Sequence, residues 1–435
     1  SCQMQKGKKV DALTALPDDV LVNILDRLTV REAARTSILS KRWTQLCANL
    51  SRLIVSAQHF LPYGVSCNDI CDDELRLESI LTRRNPGEHT IRLLSATFYL
   101  RDDVPISIGH AVGHAMASHL VENVKFSVMT GKYCNDQDAK FHDVACPSAF
   151  GGLTALDLEN LRFGESDISN VLITCKRLKR LRLEYNCDSS DCSTVPVEHA
   201  HLSELSVVHC RLERVMLNWL PQITRMVFEG WLDFQDPLFI GHVPLLEAIS
   251  LTNLGLSYHK IVKLSEFLSG TSIRDLKLGF DSEKIWVQPE CPTQCLSSVF
   301  RQLRFLNIVN LPEGYDLTWT IYFLEAAPLL KELYITVWDH ECKMEMDEDK
   351  RKEESYCENK GVGWDSAAAD FQHHSLVTLV MFGFESEDCF VSYVRRVLAA
   401  AVNLEDCSCI VGWSVTIART RSLAGTPGLK GRGSH

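Results

Sequence analysis

Residues 202–212 of the 435-residue chain read LSELSVVHCRL, and the spacing of apolar residues in this stretch decides the fold. Leu202, Leu205 and Val207 follow the pattern L-x-x-L-x-L. The last two positions are two residues apart, which places them on one face of a strand but about 200° apart on a helix. The stretch is therefore predicted to contain a short strand whose Leu205 and Val207 point into a core, while Glu204 points outward.

The same pattern recurs along the middle of the chain. It begins at Leu153, Leu178, Leu202, Ile223, Leu246, Ile273, Leu303 and Leu330, with weaker copies at Ile91 and Val121. Successive first positions from Leu153 onward are 21 to 30 residues apart, which brackets the period of leucine-rich repeats. Each copy is expected to supply one strand and one helical or irregular return segment, and stacking would bury the leucines in a continuous core.

The repeats are expected to form an irregular, gently curved solenoid. Cys210 occupies the Asn/Cys position of the pattern, but Leu161, Leu254 and Leu311 stand there in other copies, so a regular ladder of polar side chains is not available. Helical repeats are the alternative arrangement for these leucines. The two-residue step and the Pro, Gly and Asn residues between copies favour strands.

Residues 16–50, LPDDVLVNILDRLTVREAARTSILSKRWTQLCANL, are predicted to form three short helices. Pro17 and Asp18 suit the first turn of a helix, where the missing N–H costs nothing and negative charge meets the positive end of the helix dipole. Thr29 and Glu32 have the spacing of a capping box, which predicts a second helix from Val30. Two apolar stripes are expected to be buried: Leu21, Ile24, Leu25 and Leu28 on the first helix and, after an N-cap at Ser40, Trp43, Leu46, Cys47 and Leu50 on the third.

This segment resembles the F-box family at three motifs, which are Leu16-Pro17, Ile24-Leu25-x-x-Leu28 and Ser40-Lys41-Arg42-Trp43. The resemblance implies an F-box over residues 12–50 that binds a Skp-family adaptor and, through it, a cullin. The implied adaptor-binding residues are Leu16, Pro17, Leu21, Ile24, Leu25, Leu28, Ser40 and Trp43. A three-helix cap on the repeats, without adaptor binding, is the alternative for the same residues.

The remaining segments complete the expected domain order. Residues 51–86 are expected to form a connector, and residues 87–338 the leucine-rich repeats. Residues 339–366 are an acidic insertion that is expected to be disordered, because Asp339 to Lys360 has nine acidic and five basic residues and almost no large apolar ones. Residues 370–412 resemble the FBD module of many plant F-box proteins, although Glu385 stands where that pattern usually has Gly. The tail, residues 413–435, is expected to be disordered.

Together these segments predict an α/β fold class. The expected order is an N-terminal three-helix F-box, an irregular leucine-rich-repeat solenoid and a C-terminal FBD-like strand-helix-strand cap.

Composition narrows the function classes. The formal net charge of −11 and the pI near 5.8 argue against a nucleic-acid-binding surface, which needs a basic stripe. The sequence has no run of eighteen apolar residues and no signal-peptide pattern, so we expect an intracellular protein of the nucleus or cytoplasm that does not bind membranes. The 17 scattered cysteines are expected to remain thiols in such a compartment.

The common catalytic and cofactor motifs are absent from the sequence. It has no P-loop, H-E-x-x-H helix, G-x-S-x-G elbow or G-x-G-x-x-G turn. His110 and His114 could share one helix face, but no third ligand follows at a recognisable spacing, so ordinary surface histidines are favoured over a metal site. We therefore predict no enzyme activity, cofactor or metal.

The outward-facing residues of the predicted strands form the candidate target-binding surface. They are Asp157, Glu159, Arg180, Arg182, Glu204, Arg225, Glu229, Lys277, Phe305, Asn307, Glu332 and Tyr334. The residues predicted to bind the target are Arg180, Arg182, Arg225, Phe305, Asn307 and Tyr334, because aromatic and arginine side chains most often carry binding energy. The arginines could hold a phosphate or carboxylate of a partner, although a solvated charged face is the favoured interpretation of these three.

The sequence thus predicts a substrate-recognition subunit of a Skp-cullin-F-box ubiquitin ligase. The F-box would bind the adaptor and the repeats an unidentified target protein. The alternative is a leucine-rich-repeat scaffold or inhibitor that binds proteins without ubiquitin transfer, and a more remote one is an enzyme whose site lies in a loop.

Overall fold

A computed structural model describes most of the helical module and the repeats. The described residues are 15–56, 90–99, 104–118, 121–129, 150–164, 166–185, 187–188, 194–212, 214–231, 238–254, 261–281, 285–288, 290, 296–312, 317–338, 371–383 and 388–410. The predicted acidic insertion at 339–366, the tail at 413–435 and Glu385 lie outside them, so these expectations stay untested.

The N-terminal module consists of three helices, as the capping signals predict. They are α1 (Asp18–Leu25), α2 (Val30–Thr36) and α3 (Lys41–Ala48), with a short 3₁₀ helix at Ser37–Leu39. The capping box is confirmed, because Thr29 Oγ1 accepts the backbone N–H of Glu32 while the Glu32 carboxylate accepts the backbone N–H of Thr29 at 2.9 Å. Ser40 caps α3 by accepting the backbone N–H of Trp43.

Eighteen strands follow in the described residues. They are β1 (Arg52–Ser56), β2 (Leu93–Tyr99), β3 (Val124–Met129), β4 (Leu153–Glu159), β5 (Arg162–Phe163), β6 (Arg180–Glu184), β7 (Cys187–Asp188), β8 (Thr194–Glu198), β9 (Glu204–Val208), β10 (Arg214–Trp219), β11 (Arg225–Trp231), β12 (Leu238–His242), β13 (Ala248–Asn253), β14 (Asp275–Phe280), β15 (Phe305–Pro312), β16 (Glu332–Trp338), β17 (Thr378–Phe382) and β18 (Asp406–Ile410). Thirteen of them form one parallel sheet in the order β1-β2-β3-β4-β6-β9-β11-β13-β14-β15-β16-β17-β18.

The sheet confirms the leucine-rich-repeat solenoid. The first, fourth and sixth positions of the pattern are buried in copy after copy, as Leu202, Leu205 and Val207 show at 0–1% exposure. The same positions of adjacent copies pair in register, for example Leu181 with Leu205 and Leu205 with Met226. One apolar core therefore runs the length of the stack.

Residues 52–56 correct the prediction of a connector over residues 51–86. They form β1, which pairs in parallel with β2 and adds the first strand to the sheet. Leu50, Leu53 and Val55 follow the same L-x-x-L-x-L spacing and are all buried, but Leu50 also completes the apolar face of α3. The remaining residues of the predicted connector, 57–86, lie outside the described part of the chain.

Three return segments are strands, which also corrects the expectation of helical or irregular returns. β8, β10 and β12 form a separate parallel sheet in the order β12-β10-β8. Apolar residues alternate in these stretches, as in Val195 and Val197 or Val215 and Leu217, and this period of two favours a strand. Helices lie in the other described return segments, at α4 (Val104–Ala117), α5 (Asp167–Thr174), α6 (Leu264–Phe267), α7 (Ser297–Phe300) and α8 (Ile321–Ala326), with a 3₁₀ turn at Leu317–Thr320.

The C-terminal segment has the predicted strand-helix-strand order. β17 and β18 flank α9 (Asp388–Ala400), and both strands extend the main sheet. The buried Tyr393 hydroxyl of α9 lies 3.0 Å from the Thr320 hydroxyl, which belongs to the return segment after β15. The FBD-like segment is therefore a continuation of the solenoid stack.

Two buried histidines join the end of one return segment to the end of the return segment before it. The His199 Nε2–H donates to the Cys175 carbonyl at 3.1 Å, and its Nδ1 accepts the His201 backbone N–H at 3.2 Å. His373 repeats this arrangement with the Ala327 carbonyl at 2.9 Å and the Leu376 backbone N–H at 3.0 Å. Because each ring already uses one nitrogen as an acceptor, only the neutral imidazole satisfies both bonds.

Because of these two histidines, we expect the folded chain to lose stability as the pH is lowered. Burial, and secondarily the neighbouring His201 and His374, lower the pKa of His199 and His373 below the usual value near 6.5, although the carbonyl bonds oppose the shift. The unfolded chain then binds more protons than the folded chain below about pH 6.5, so the free energy of unfolding falls as pH falls through that region. We expect the thermal midpoint of a His199→Gln/His373→Gln variant to change less between pH 7.5 and 5.5 than that of the parent. Replacement of the exposed His110 by Gln is the control, and an equal slope for parent and double variant would contradict the assignment.

Candidate functional site

The helical module buries part of the predicted adaptor-binding set in its own core. Leu21 and Leu25 are completely buried and Trp43 is 6% exposed, so these three residues support the fold beneath any partner. Leu16 and Leu28 are partly buried against the same core. Periodicity predicts this inner stripe correctly except at Ile24.

Ile24 corrects the prediction that the whole α1 stripe is buried. Its side chain is 40% exposed, and Val20, one turn earlier on the same side of α1, is 39% exposed. Ile38 and Leu39 of the 3₁₀ helix are more exposed still, at 84% and 64%. Pro17 is exposed as well, and we call these exposed apolar residues of the module the outer face (Pro17, Val20, Ile24, Ile38 and Leu39). Val20, Ile38 and Leu39 were not among the predicted adaptor-binding residues. The apolar pair Ile38-Leu39 directly before the Ser40 cap is the sequence feature that could have indicated exposed apolar residues there.

Arg42 fixes the start of α1. Its guanidinium donates to the Leu16 carbonyl at 2.6 Å and to the Asp18 carboxylate at 2.6 Å, so the Leu16-Pro17 motif is held against α3. The charge-assisted bond to the carbonyl also satisfies a backbone acceptor just before the helix. The motif residues 16–17 and 40–43 are therefore brought together in space.

Asp26 joins the module to the repeats. Its carboxylate accepts the backbone N–H groups of Ser51 at 2.9 Å and Arg52 at 3.1 Å, and the Ser51 hydroxyl at 2.5 Å. Leu50, Leu53 and Val55 continue the core of α1 and α3 into the sheet. The helical module is thus fixed directly to the first strand of the solenoid.

The predicted target surface lies on the outward face of the sheet. Register places Arg180, Glu204, Arg225, Phe305 and Glu332 in one row across the strands. A second row contains Asp157, Arg182, Lys277, Asn307 and Tyr334. The geometry therefore brings the predicted residues onto one face, while their role in binding stays a prediction.

Most charges on this face are paired within the chain. Arg180 lies 3.0 Å from the Glu204 carboxylate, and Arg182 lies 2.7 Å from that of Glu184. These pairs favour a solvated charged face over a preformed phosphate site. Phe305 and Tyr334, by contrast, place their ring centroids 5.4 Å apart on adjacent strands and form a small aromatic patch.

The ion pair between Lys277 and Glu229 is one of the two most sheltered described pairs on the face. Burial alone would raise the pKa of Glu229, but Lys277 at 2.8 Å and the hydroxyl of Ser250 at 2.9 Å hold it below its usual value. Glu229 therefore stays ionised and connects three neighbouring strands. Its role on this face is structural as well as electrostatic.

A groove of about 420 Å³ lies beside Phe305, at the edge of the sheet where the strands begin. Its lining consists of Glu247, Arg274, Asp275, Arg304, Phe305, Lys331 and Glu332. The basic residues immediately precede their strands, outside the L-x-x-L-x-L positions used for the prediction. Sequence reasoning missed them because it considered only the residues between and beside the last two apolar positions.

The described residues show no grouping of His, Cys, Asp and Glu side chains that could hold a metal ion. His110 and His114 are both exposed on α4, as expected for surface histidines. Cys175 and Cys210 are buried free thiols, whereas Cys407 and Cys409 on the last strand are exposed. No helix in the described ranges is long and apolar enough to cross a membrane.

Comparison with known proteins matches both parts of this architecture. Residues 13–54 match the F-box domain family, and residues 127–410, more than half of the chain, match the family described as At1g61320/AtMIF1, LRR domain. F-box domains generally bind Skp-type adaptors, leucine-rich repeats generally bind proteins, and proteins with both are generally adaptors and not enzymes.

Relatives from Arabidopsis thaliana carry the same domain names. The chain is 28% identical to F-box/FBD/LRR-repeat protein At3g52680 over 217 residues, which are 45% of each chain. It is 27% identical to F-box/LRR-repeat protein At3g26922 over 40% of its own length and 60% of that relative. It is also 46% identical to F-box/LRR-repeat protein At5g38396, over 12% of its own length and 11% of that relative. The chain thus spans less than two thirds of each relative. These matches and the solenoid show that the chain belongs to the F-box proteins with leucine-rich repeats.

Proposed function

We propose that the chain is the substrate-recognition subunit of a Skp-cullin-F-box ubiquitin ligase. The outer face would bind a Skp-family adaptor that connects to a cullin, and the solenoid would hold a target protein for ubiquitination. We further propose that it acts inside the cell, in the nucleus or cytoplasm. The exposed apolar residues of the F-box carry the proposal, because Ile38 and Leu39 are the most exposed of the module's described large apolar residues, at 84% and 64%, whereas Leu21 and Leu25 are buried in its core.

The junction supports this role physically. A ligase subunit must present its target at a defined position relative to the adaptor, and the Asp26 contacts with residues 51 and 52 fix the F-box to the first strand. The sheet that carries the outward face therefore begins directly at the F-box. A scaffold or inhibitor that binds proteins without ubiquitin transfer would share the repeats but would need neither feature.

Replacing Leu16 and Pro17 together by Ala tests the adaptor step. We expect the double variant to lose co-purification with a recombinant Skp-family adaptor, because Leu16 and Pro17 open α1 beside the outer face. The repeats should stay folded, since apolar contacts in a solenoid run mainly between neighbouring units. Circular dichroism supplies the folding control.

Target ubiquitination gives the second readout. With adaptor, cullin and ubiquitin-charged conjugating enzyme present, the parent chain should support ubiquitination of proteins captured by the repeats, and the double variant should not. Unchanged adaptor capture by the double variant would overturn the adaptor assignment, and adaptor capture without any ubiquitin transfer would favour the scaffold.

A further inference from the structure

The opposite edges of the outward sheet face differ in charge. Basic residues immediately precede several strands, namely Lys179, Arg274, Arg304 and Lys331. Towards the other edge, the outward residues are Glu159 and Glu184 at the ends of β4 and β6, and Glu229 near the end of β11. The carboxyl-terminal edge of the first half of the solenoid is therefore acidic.

An aromatic pair lies at this acidic edge. Tyr185 and His209 follow β6 and β9 directly, and their rings stack with centroids 5.3 Å apart and an interplanar angle of 13°. Tyr185 is still 47% exposed. This stacked, half-exposed ring directly follows Glu184 in the chain, so it offers its π-face and nearby negative charge to the same ligand.

The backbone fixes the position of both rings. Asn160, Tyr185 and His209 adopt positive φ of 57°, 51° and 49°, and their N–H groups donate to the carbonyls of Glu184, Val208 and Glu229 on the next strand. Gly230 takes the equivalent place one repeat later, where a Cβ atom would lie 2.5 Å from His209 Nδ1. The rings are therefore held by a repeated backbone arrangement and by the absence of a side chain beneath His209.

The charges beside the pair are unevenly balanced. Glu159 and Glu184 are direct neighbours on adjacent strands. Glu184 is paired with Arg182, and Asp157 with Lys125 at 2.6 Å, whereas Glu159 forms no ion pair within the described part of the chain. Burial and then Glu184 raise the pKa of Glu159, while Arg182 lowers it in part. The pKa stays above its usual value, so a further bound cation would relieve the repulsion that remains between Glu159 and Glu184.

We propose that Tyr185, His209, Glu159 and Glu184 form a docking site for an arginine side chain in a basic segment of the target protein. A guanidinium is planar, stacks on aromatic faces and pairs with carboxylates through parallel N–H bonds, which matches this combination of groups better than a lysine ammonium does. The inference rests on the proposed role of the repeats in binding a target and adds the chemistry of the segment that is recognised. The chain's net charge of −11 acts in the same direction, because it attracts basic partners over a longer range.

The test measures binding of labelled peptides to the full chain by fluorescence anisotropy. The probes are a peptide of alternating glycine and arginine and two matched peptides with lysine or glutamate in place of arginine. We expect the arginine peptide to bind most tightly, and its affinity to fall as salt is raised. Glu159→Gln and Tyr185→Asn should each weaken it about tenfold, as expected when a charge pair or stacking partner is lost from a binding centre. Asn is chosen at position 185 because it tolerates positive φ.

Matched controls lie on the small second sheet. Glu198→Gln changes the net charge by the same amount as Glu159→Gln, and Trp219→Asn removes an equally exposed ring (47%), so both should leave peptide affinity unchanged. Parent-like affinity of Glu159→Gln or Tyr185→Asn, equal binding of the lysine or glutamate peptide, or no binding of the arginine peptide would each overturn the inference. Adaptor capture is measured on the same samples: if it fails while arginine binding behaves as expected, the proposed ligase function is wrong and the docking site stands.

Discussion

Replacing Ile38 by Glu is expected to abolish adaptor capture while leaving the thermal midpoint of the chain unchanged. Ile38 is 84% exposed, so a carboxylate at this position stays in water in the free chain and costs little. In a complex that covers the outer face, the same charge would be desolvated against apolar groups. We expect the affinity for a Skp-family adaptor to fall about 100-fold or more, which is the range of a central interface residue.

The chain supplies a closely matched control for this change. Ile173 of α5 is 69% exposed and lies on the repeats, so Ile173→Glu adds the same charge to a similarly exposed isoleucine away from the F-box. Its adaptor affinity, measured by isothermal titration calorimetry, should equal that of the parent. If Ile38→Glu binds the adaptor as well as Ile173→Glu does, the 3₁₀ helix lies outside the interface and the outer face must be redrawn around Pro17, Val20 and Ile24.

The solenoid was predictable because every copy of the repeat pattern places apolar residues at the same spacing, and these must be buried together. A leucine pair at positions i and i+2 can share a buried face only in a strand, and stacking gives each pair a similar apolar neighbour. The outward position of Arg182 and Tyr334 follows from that alternation alone. The first strand was missed because Leu50 fits both the apolar face of α3 and the first position of the repeat pattern. The second sheet was missed because the apolar alternation at Val195 and Val197 falls between two copies of the pattern.

The functional surfaces were less predictable, since they depend on relations that a one-dimensional pattern does not contain. Ile24 belongs to the α1 stripe by its spacing, but it lies at the edge of that stripe. The eight-residue helix buries only the side that carries Leu21 and Leu25, so Ile24 stays partly exposed. Ile38 and Leu39 lie in a 3₁₀ turn, where the 3.6-residue period does not apply. The Tyr185–His209 stack depends on two residues with positive φ, and neither is the glycine or asparagine that would signal this conformation.

Replacing Trp319 by Ala is expected to destabilise the solenoid strongly without affecting the adaptor surface. Trp319 is completely buried and packs against Phe280, Tyr322 and Phe323 at centroid distances of 5.9 to 6.3 Å. Removing its indole leaves a cavity among these rings, and such changes cost about 3–5 kcal/mol of the free energy of unfolding. Urea denaturation measures that loss, with the half-exposed Trp219→Ala as the control that should lose much less.

Adaptor capture by Trp319→Ala tests whether the F-box functions independently of the stability of the distant repeats. The F-box packs on β1, whereas Trp319 lies between β15 and β16 near the other end of the strand order, so the two sites share no direct neighbours. Because a solenoid transmits packing loss mainly to adjacent units, the variant should still bind the adaptor with parental affinity at a temperature where its F-box remains folded. Ile38→Glu would then lose adaptor binding but keep its stability. Trp319→Ala would lose stability but keep adaptor binding. Loss of both properties in Trp319→Ala would instead show that the F-box and the solenoid unfold as one cooperative unit, coupled through the Asp26 contacts with β1.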